Sequence, residues 1–300
     1  MAAPLSMAGE YAIVWQPHDA AEAWRLKQTY GPDCEYIAGG TWLAVQWENE
    51  SFAMPRHLID LASIPGVRGI AVLGDELFIG SLTSLNVLRS DPLVASEYPL
   101  VTEAIRTIAA PSIRNLATIG GNVGSRTGDL LPALLLYEAE LLWHDGHSSK
   151  WEPVSEWLEQ SKDVIRQQGR ILLQLKLKPS SHRGQVLAYY EKVGRREAFT
   201  PSVVTCGFVA EIEGACTCRK VSRIRITAGG GLMKPVRLPK SEVLLVGKAL
   251  EPQLMEQFYE QLVDEIEPAG DLFVSTAYRK QTAANLIAAG LWQKWQRSEG

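Results

Sequence analysis

Apolar and polar positions change their period several times along the chain, and each change predicts an element. Residues 20–30 repeat at helical spacing. Asp19 stands at the N-cap, Glu22 occupies the capping-box position, and Gly31-Pro32 ends the run. A short strand, Glu35–Ala38, runs directly into Gly39-Gly40. Strand-like segments recur at His57–Leu61, Gly69–Leu73 and Glu76–Ile79, followed by helical segments at Ser84–Arg89 and Leu100–Ala109. Ser112–Asp129 reads as a glycine-rich stretch carrying Gly120, Gly121, Gly124 and Gly128. It leads into an apolar run, Leu130–Tyr137, and then strands at Glu140–His144 and Arg170–Lys178. Pro179–Gly184 reads as a turn or linker.

Beyond that linker the rhythm differs. Strands are expected at Gln185–Val193, Ser202–Ile212 and Val221–Ala228, then helices near Gln253–Ile266 and Thr276–Trp295. Strands followed by helices in one segment predict an α+β unit with helices on one side of a sheet. In the last helix Leu286, Ala289 and Trp292–Trp295 form the expected core stripe. The boundary predicts two domains, residues 1–180 and 181–300, and a chain of 300 residues has room for both.

Composition narrows the function classes. Hydrophobic residues make up 46% and charged residues 21%, which excludes a disordered chain. The net charge of −4 lacks the basic footprint of a nucleic-acid binder, although Arg195-Arg196 is a local basic pair. The cysteines are Cys34, Cys206, Cys216 and Cys218; no C-x-x-C pair is present, so neither a zinc nor an iron–sulfur site is expected, and Cys216-Thr217-Cys218 reads as structural. No apolar run approaches the ~20 residues of a membrane span, and no basic-then-apolar leader opens the chain, so a cytoplasmic protein without membrane contact is expected.

Candidate chemistry concentrates at two glycine pairs. Ala38-Gly39-Gly40-Thr41 follows a strand, where backbone amides can approach an anion and a threonine hydroxyl can add a donor; the competing reading is a simple tight turn. Thr118-Ile119-Gly120-Gly121-Asn122 repeats the pattern, and Asp129 follows at the head of an apolar segment. Asp129 suits either a ribose-like hydroxyl or the N-cap of Leu130–Tyr137. Neither loop has the spacing of a phosphate-binding G-x-x-x-x-G-K-[ST] loop or of G-x-G-x-x-G. The histidines are scattered away from both loops, and no nucleophile elbow is present, so no catalytic residue is assigned.

Taken in order, Ile37-Ala-Gly-Gly-Thr41, Pro55-Arg-His-Leu-Ile-Asp60, Ile79-Gly-Ser-Leu-Thr83, Ile113-Arg-Asn-Leu-Ala-Thr-Ile-Gly-Gly-Asn122, Asp129-Leu-Leu-Pro-Ala-Leu-Leu135, Tyr190-Glu-Lys-Val-Gly-Arg-Arg196 and Ile224-Arg-Ile-Thr-Ala-Gly-Gly230 make a specific series. The chain resembles the FAD-binding medium subunit of molybdenum hydroxylases, the xanthine dehydrogenase and carbon monoxide dehydrogenase family, from about Tyr11 to Trp295. That resemblance implies an α+β fold: a two-subdomain FAD-binding unit of the vanillyl-alcohol oxidase (PCMH) type, then a smaller α+β flavoprotein domain. It implies that Ala38–Thr41 and Thr118–Asn122 grip the FAD pyrophosphate through their amides. It implies too that Asp129 holds the ribityl or isoalloxazine end, that Leu172 packs on the flavin ring, and that Lys192 lies at a lysine-bearing cofactor position. FAD would be bound non-covalently. Partner subunits would carry molybdopterin and the iron–sulfur clusters, and NAD would be the electron acceptor. Xanthine or a related purine would be oxidised on the large subunit; carbon monoxide or N-heterocycle oxidation, or a self-sufficient flavin oxidoreductase, are the alternatives. Two departures stand out: Trp42 replaces a small or acidic residue, and the Gly121–Asp129 segment is shortened and lacks the usual proline.

Overall fold

Three sheets organise the chain. The structure, a computed structural model, describes residues 12–178, 184–195, 202–214, 218–231 and 233–298, apart from the side chain at position 166. Most of the expected linker, together with Arg196 and Cys216, lies outside the described residues.

The first sheet is parallel, in the order β1 (Ile13–Trp15), β3 (His57–Asp60), β2 (Cys34–Ile37). Helix α1 (Ala20–Tyr30) joins β1 to β2 and has the expected ends. Asp19 accepts from the Glu22 amide at 2.7 Å, Glu22 accepts from the His18 amide at 2.8 Å, and Gly31 turns left-handed at φ 52°. Cys34 is buried beneath α1 with Ala23 and Ile59, and burial pushes its thiol pKa up to about 11. The connection from β2 to β3 holds a helix that the periodicity does not announce, α2 (Thr41–Glu48). Its sequence is apolar on all sides, and none of its residues is buried.

The second sheet is antiparallel, in the order β4 (Ile70–Leu73), β5 (Glu76–Gly80), β8 (Ile171–Leu177), β6 (Glu140–His144), β7 (Ser149–Pro153). Between β5 and β6 run six short helices: α3 (Leu85–Ser90), α4 (Pro92–Glu97), α5 (Pro99–Arg106), α6 (Pro111–Leu116), α7 (Ile119–Gly124) and α8 (Leu131–Leu136). Prolines open α4, α5 and α6 at positions where no helical N–H is required, so each begins as a separate short helix, including where no element is expected from the sequence between Arg89 and Leu100. The glycine-rich stretch therefore contains two helical turns, α6 and α7, and is not simply a loop. Every residue of α8 is buried, as an all-apolar Leu-Pro-Ala-Leu-Leu-Leu segment requires. Helices α9 (Val154–Glu159) and α10 (Lys162–Gln168) complete this part.

The third sheet is antiparallel, in the order β12 (Met233–Arg237), β11 (Lys220–Gly230), β10 (Ser202–Glu213), β9 (Gln185–Gly194). Helices α11 (Pro239–Leu245), α12 (Pro252–Glu265) and α13 (Thr276–Arg297) follow it. Strand alternation gives the sheet two faces. Leu187, Tyr189, Cys206, Phe208, Ile224 and Ile226 pack with Phe258, Ile287 and Leu291 of α12 and α13. On the opposite face Ala188, Tyr190 and Val209 join the core that holds α5 and α8. The stripe expected on α13 is offset. Ala289 is exposed, and the buried line is Ala283, Ala284, Ile287, Leu291 and Trp295. Close contact sets this rotation, because a Cβ at Gly290 would lie 2.9 Å from the Tyr189 ring.

Candidate functional site

The first glycine pair does more than turn the chain. Gly40, left-handed at φ 66°, is the N-cap of α2 and offers no side-chain acceptor. The first turn closes through the Ala44 amide donating to the Gly40 carbonyl at 2.8 Å. The amides of Thr41, Trp42 and Leu43 stand ahead of that bond, at the positive end of an eight-residue helix, and no carbonyl among the described residues accepts them. Gly39 is glycine for a different reason: a Cβ there would fall within the Leu116 carbonyl group and 3.2 Å from the Ala117 Cα. The two glycine turns, far apart in sequence, therefore touch.

The second turn has the opposite economy. Thr118 caps α7, its hydroxyl accepting from the Gly121 amide at 3.1 Å and its carbonyl from the Asn122 amide at 3.0 Å. The Ile119 amide donates to the Thr83 carbonyl at 3.1 Å and the Gly120 amide to the Ser81 carbonyl at 2.7 Å. Ser81 in turn donates its amide to the Leu173 carbonyl at 2.9 Å, so the turn is stitched to β8. A Cβ on Gly120 would lie 2.7 Å from the Ser81 oxygen. The amides of Ile119–Asn122 are thus donated inside the protein, and Gly120 is needed for backbone contact. Leu172, one residue before Leu173, pairs with Trp143 and is only 7% exposed, within the main core.

Asp129 and Lys192 meet. The Lys192 ammonium lies 2.6 Å from the Asp129 carboxylate and also donates to the Thr107 carbonyl at 3.0 Å; the side chains are 4% and 13% exposed respectively. The Tyr190 hydroxyl donates to the Asp129 carbonyl at 2.7 Å. Burial, then the neighbouring Asp129 charge, push the Tyr190 phenol well up, so it stays protonated and able to donate. Alternation along β9 explains the pair: Tyr190 and Lys192 share the face turned to α5 and α8, opposite Tyr189. Asp129 does not cap α8, whose N-cap, Leu130, makes no side-chain hydrogen bond.

Several neighbours are not marked as site residues by the sequence alone. Arg114 is buried and donates from one nitrogen to the carbonyls of Arg106, Ile108 and Ala109 at 3.3, 2.9 and 2.8 Å. It gathers the loop that supplies the Thr107 carbonyl, with Ala109 left-handed at φ 42°. Tyr190 has a readable signal in strand parity. Arg114 has only its place in the Ile-Arg-Asn series, and Thr107 has none.

Two domains are joined through a common core, with an uncapped helix N-terminus at one turn and a shielded ion pair where the second domain meets the first. Residues 7–179 match the model of the FAD binding domain in molybdopterin dehydrogenase, and residues 188–293 that of the CO dehydrogenase flavoprotein C-terminal domain. The chain belongs to the family of FAD-binding subunits of molybdopterin dehydrogenases. The carbon monoxide dehydrogenase medium chain of Hydrogenophaga pseudoflava is 29% identical over 283 residues, 94% of this chain and 96% of that one. A putative xanthine dehydrogenase FAD-binding subunit of Escherichia coli is 26% identical over 251 residues, 83% of this chain and 84% of its own. A solved carbon monoxide dehydrogenase structure from Hydrogenophaga pseudoflava superposes with a TM-score of 0.84 at 26% identity, over 96% of this chain and 98% of that one. Among the described residues no helix is long and apolar enough to cross a membrane.

Proposed function

We propose that this chain seats FAD non-covalently with its pyrophosphate at the α2 N-terminus and its flavin end toward Asp129 and Lys192, as the flavin station of a multi-subunit molybdenum hydroxylase. The observation that carries the reading is the contact of Gly39 with Leu116-Ala117, which sets beside the second turn three amides that no carbonyl among the described residues accepts. Ala38, Gly39, Gly40 and Thr41 shape the anion seat. Thr118, Ile119, Gly120, Gly121 and Asn122 form its wall, held by their internal hydrogen bonds, with the Asn122 side-chain nitrogen left to donate. The Asp129 carboxylate accepts from ligand hydroxyl or ring N–H groups while Lys192 fixes its position, and Leu172 offers an edge of apolar surface. Bound FAD accepts electrons singly and releases them in pairs, which suits it to stand between one-electron and two-electron partners. The protein contributes position, shielding and charge.

The partners in this reading are a molybdopterin subunit that oxidises the substrate and an iron–sulfur subunit that relays electrons, with NAD as acceptor. The likeness to the Escherichia coli xanthine dehydrogenase subunit supports a purine substrate on the large subunit. The likeness to the carbon monoxide dehydrogenase medium chain supports the second reading, carbon monoxide as substrate. Titration of the purified full chain with FAD, followed by absorbance and flavin fluorescence, tests the seat. One equivalent bound is expected, and a colourless chain that leaves FAD fluorescence unchanged overturns the reading. Co-purification with the two partner subunits, then assay with xanthine and NAD against carbon monoxide, separates the substrate readings.

A further inference from the structure

The segment between Gly121 and Asp129 folds back on itself, and its fastenings converge on Asp129. Gly128 packs so closely on Asn122 that a Cβ would overlap the side-chain amide. The Asn122 Oδ1 accepts from the Leu130 amide at 3.2 Å, and the Ser125 hydroxyl donates to the Asn122 carbonyl at 2.7 Å. Between these fastenings stands Arg126, left-handed at φ 60°. A long side chain adopts that conformation only where its surroundings hold it there.

The surroundings are explicit. One guanidinium nitrogen of Arg126 donates to the Leu158 and Gln160 carbonyls, both at 2.7 Å, just where α9 ends and its carbonyls lack helical partners. The other reaches the Trp157 carbonyl at 3.5 Å, and the guanidinium carbon lies 4.9 Å from the centre of the Trp157 ring. That ring is buried and stacks on Trp143, over which Arg170 sits at 5.2 Å. Arg170 pairs with Glu152 at 3.0 Å and donates to Gln160 at 3.0 Å. Arg126 is therefore tied into a layered Arg–Trp–Trp–Arg stack, a fixed support for a loop without a stiffening proline.

We infer that Arg126 is a positioning residue for the flavin site: by clamping the loop to the end of α9 it presents Asp129, three residues on, to the cofactor in a fixed geometry. The inference rests on the proposed FAD seat. Arg126 touches no cofactor in this account and acts through Asp129 alone, so its effect on affinity must vanish when the Asp129 carboxylate is absent.

A double-mutant cycle tests this on the full chain, with FAD as the titrant and wild type, R126A, D129N and R126A/D129N compared. R126A in the wild-type background is expected to weaken FAD binding about tenfold, the scale of coupling within one contact network. In the D129N background the same substitution is expected to change the affinity less than about twofold. The visible circular dichroism of bound flavin should change in R126A, since the ring environment shifts with Asp129. Equal losses in both backgrounds would assign Arg126 to general stability and overturn the inference, as would unchanged affinity in R126A. If R126A does not accumulate as folded protein, R126K replaces it under the same criterion, with a smaller loss. Failure of the wild-type chain to bind FAD is a separate result and removes the seat itself.

Discussion

The two glycine turns look alike in sequence and do opposite things. At Gly39-Gly40 the chain enters a helix without a side-chain cap, and three amides have no acceptor among the described residues. At Gly120-Gly121 the Thr118 hydroxyl caps the helix, and the neighbouring amides close on Thr83 and Ser81. Each turn also needs a residue without a side chain because another strand of backbone passes at contact distance, Leu116 at one and Ser81 at the other. A glycine pair is thus by itself no index of a donor site. What decides is whether the following helix satisfies its own first turn.

Substitutions can break or sharpen that contrast. The largest effect is expected from Gly39→Val, which drives a branched side chain into the Leu116 carbonyl. Loss of FAD binding and destabilisation of about 3 kcal/mol or more are expected, read by FAD titration and by denaturant unfolding. Asp129→Ala comes next. It leaves a shielded Lys192 ammonium with, among the described residues, only the Thr107 carbonyl, for a cost of about 3 kcal/mol in stability, and it weakens FAD binding. An unfolding midpoint equal to wild type would mean that the pair carries no structural weight. Gly120→Ala should cost about 2 kcal/mol, seen in the unfolding midpoint, because its Cβ would crowd Ser81. FAD affinity of the folded fraction should remain if, as proposed, the amides of the second turn stay bonded within the protein. A Gly120→Ala protein that is fully stable yet unable to bind FAD would reverse the contrast.

The smallest effect concerns the interface between domains. Burial alone would raise the Glu138 pKa, but Arg225, Arg223 and Arg237 outweigh it and hold the carboxyl below the usual range. The contribution is therefore complete above the unfolded value of about 4.3 and is lost as pH falls through the lower folded value. Thermal unfolding of wild type and Glu138→Gln should differ at neutral pH; the gap should start to close as pH falls past the unfolded value of about 4.3 and vanish only below the lower folded value. A gap independent of pH would show that the arginines do not act through the Glu138 charge.

Legibility in the sequence followed the physics of each element. Helix α1 was plain because Asp19, Glu22 and Gly31-Pro32 mark both ends locally. Strands β9, β10 and β11 were plain as extended segments, and their parity decides which side chains face the first domain. Helix α2 was hidden: Trp42, Leu43, Val45 and Trp47 fall on different sides, so no amphipathic stripe forms. The meeting of Asp129 with Lys192, 63 residues apart, follows from the pairing of whole domains and not from any local pattern. Arg126 was invisible because a left-handed arginine has no sequence signature; tertiary contacts alone impose it.

Helix α8 has a consequence for how the protein exists in the cell. Leu136 meets the bare backbone of Gly207, and the Pro132 carbonyl accepts from the Thr227 hydroxyl at 3.5 Å, so a helix from the first half is roofed by the sheet of the second. Neither half would make a tidy protein alone. Released from its roof, the first would show a row of leucines to water and cling to its neighbours, whereas a nick near residues 179–183 should leave two fragments that travel together until denatured.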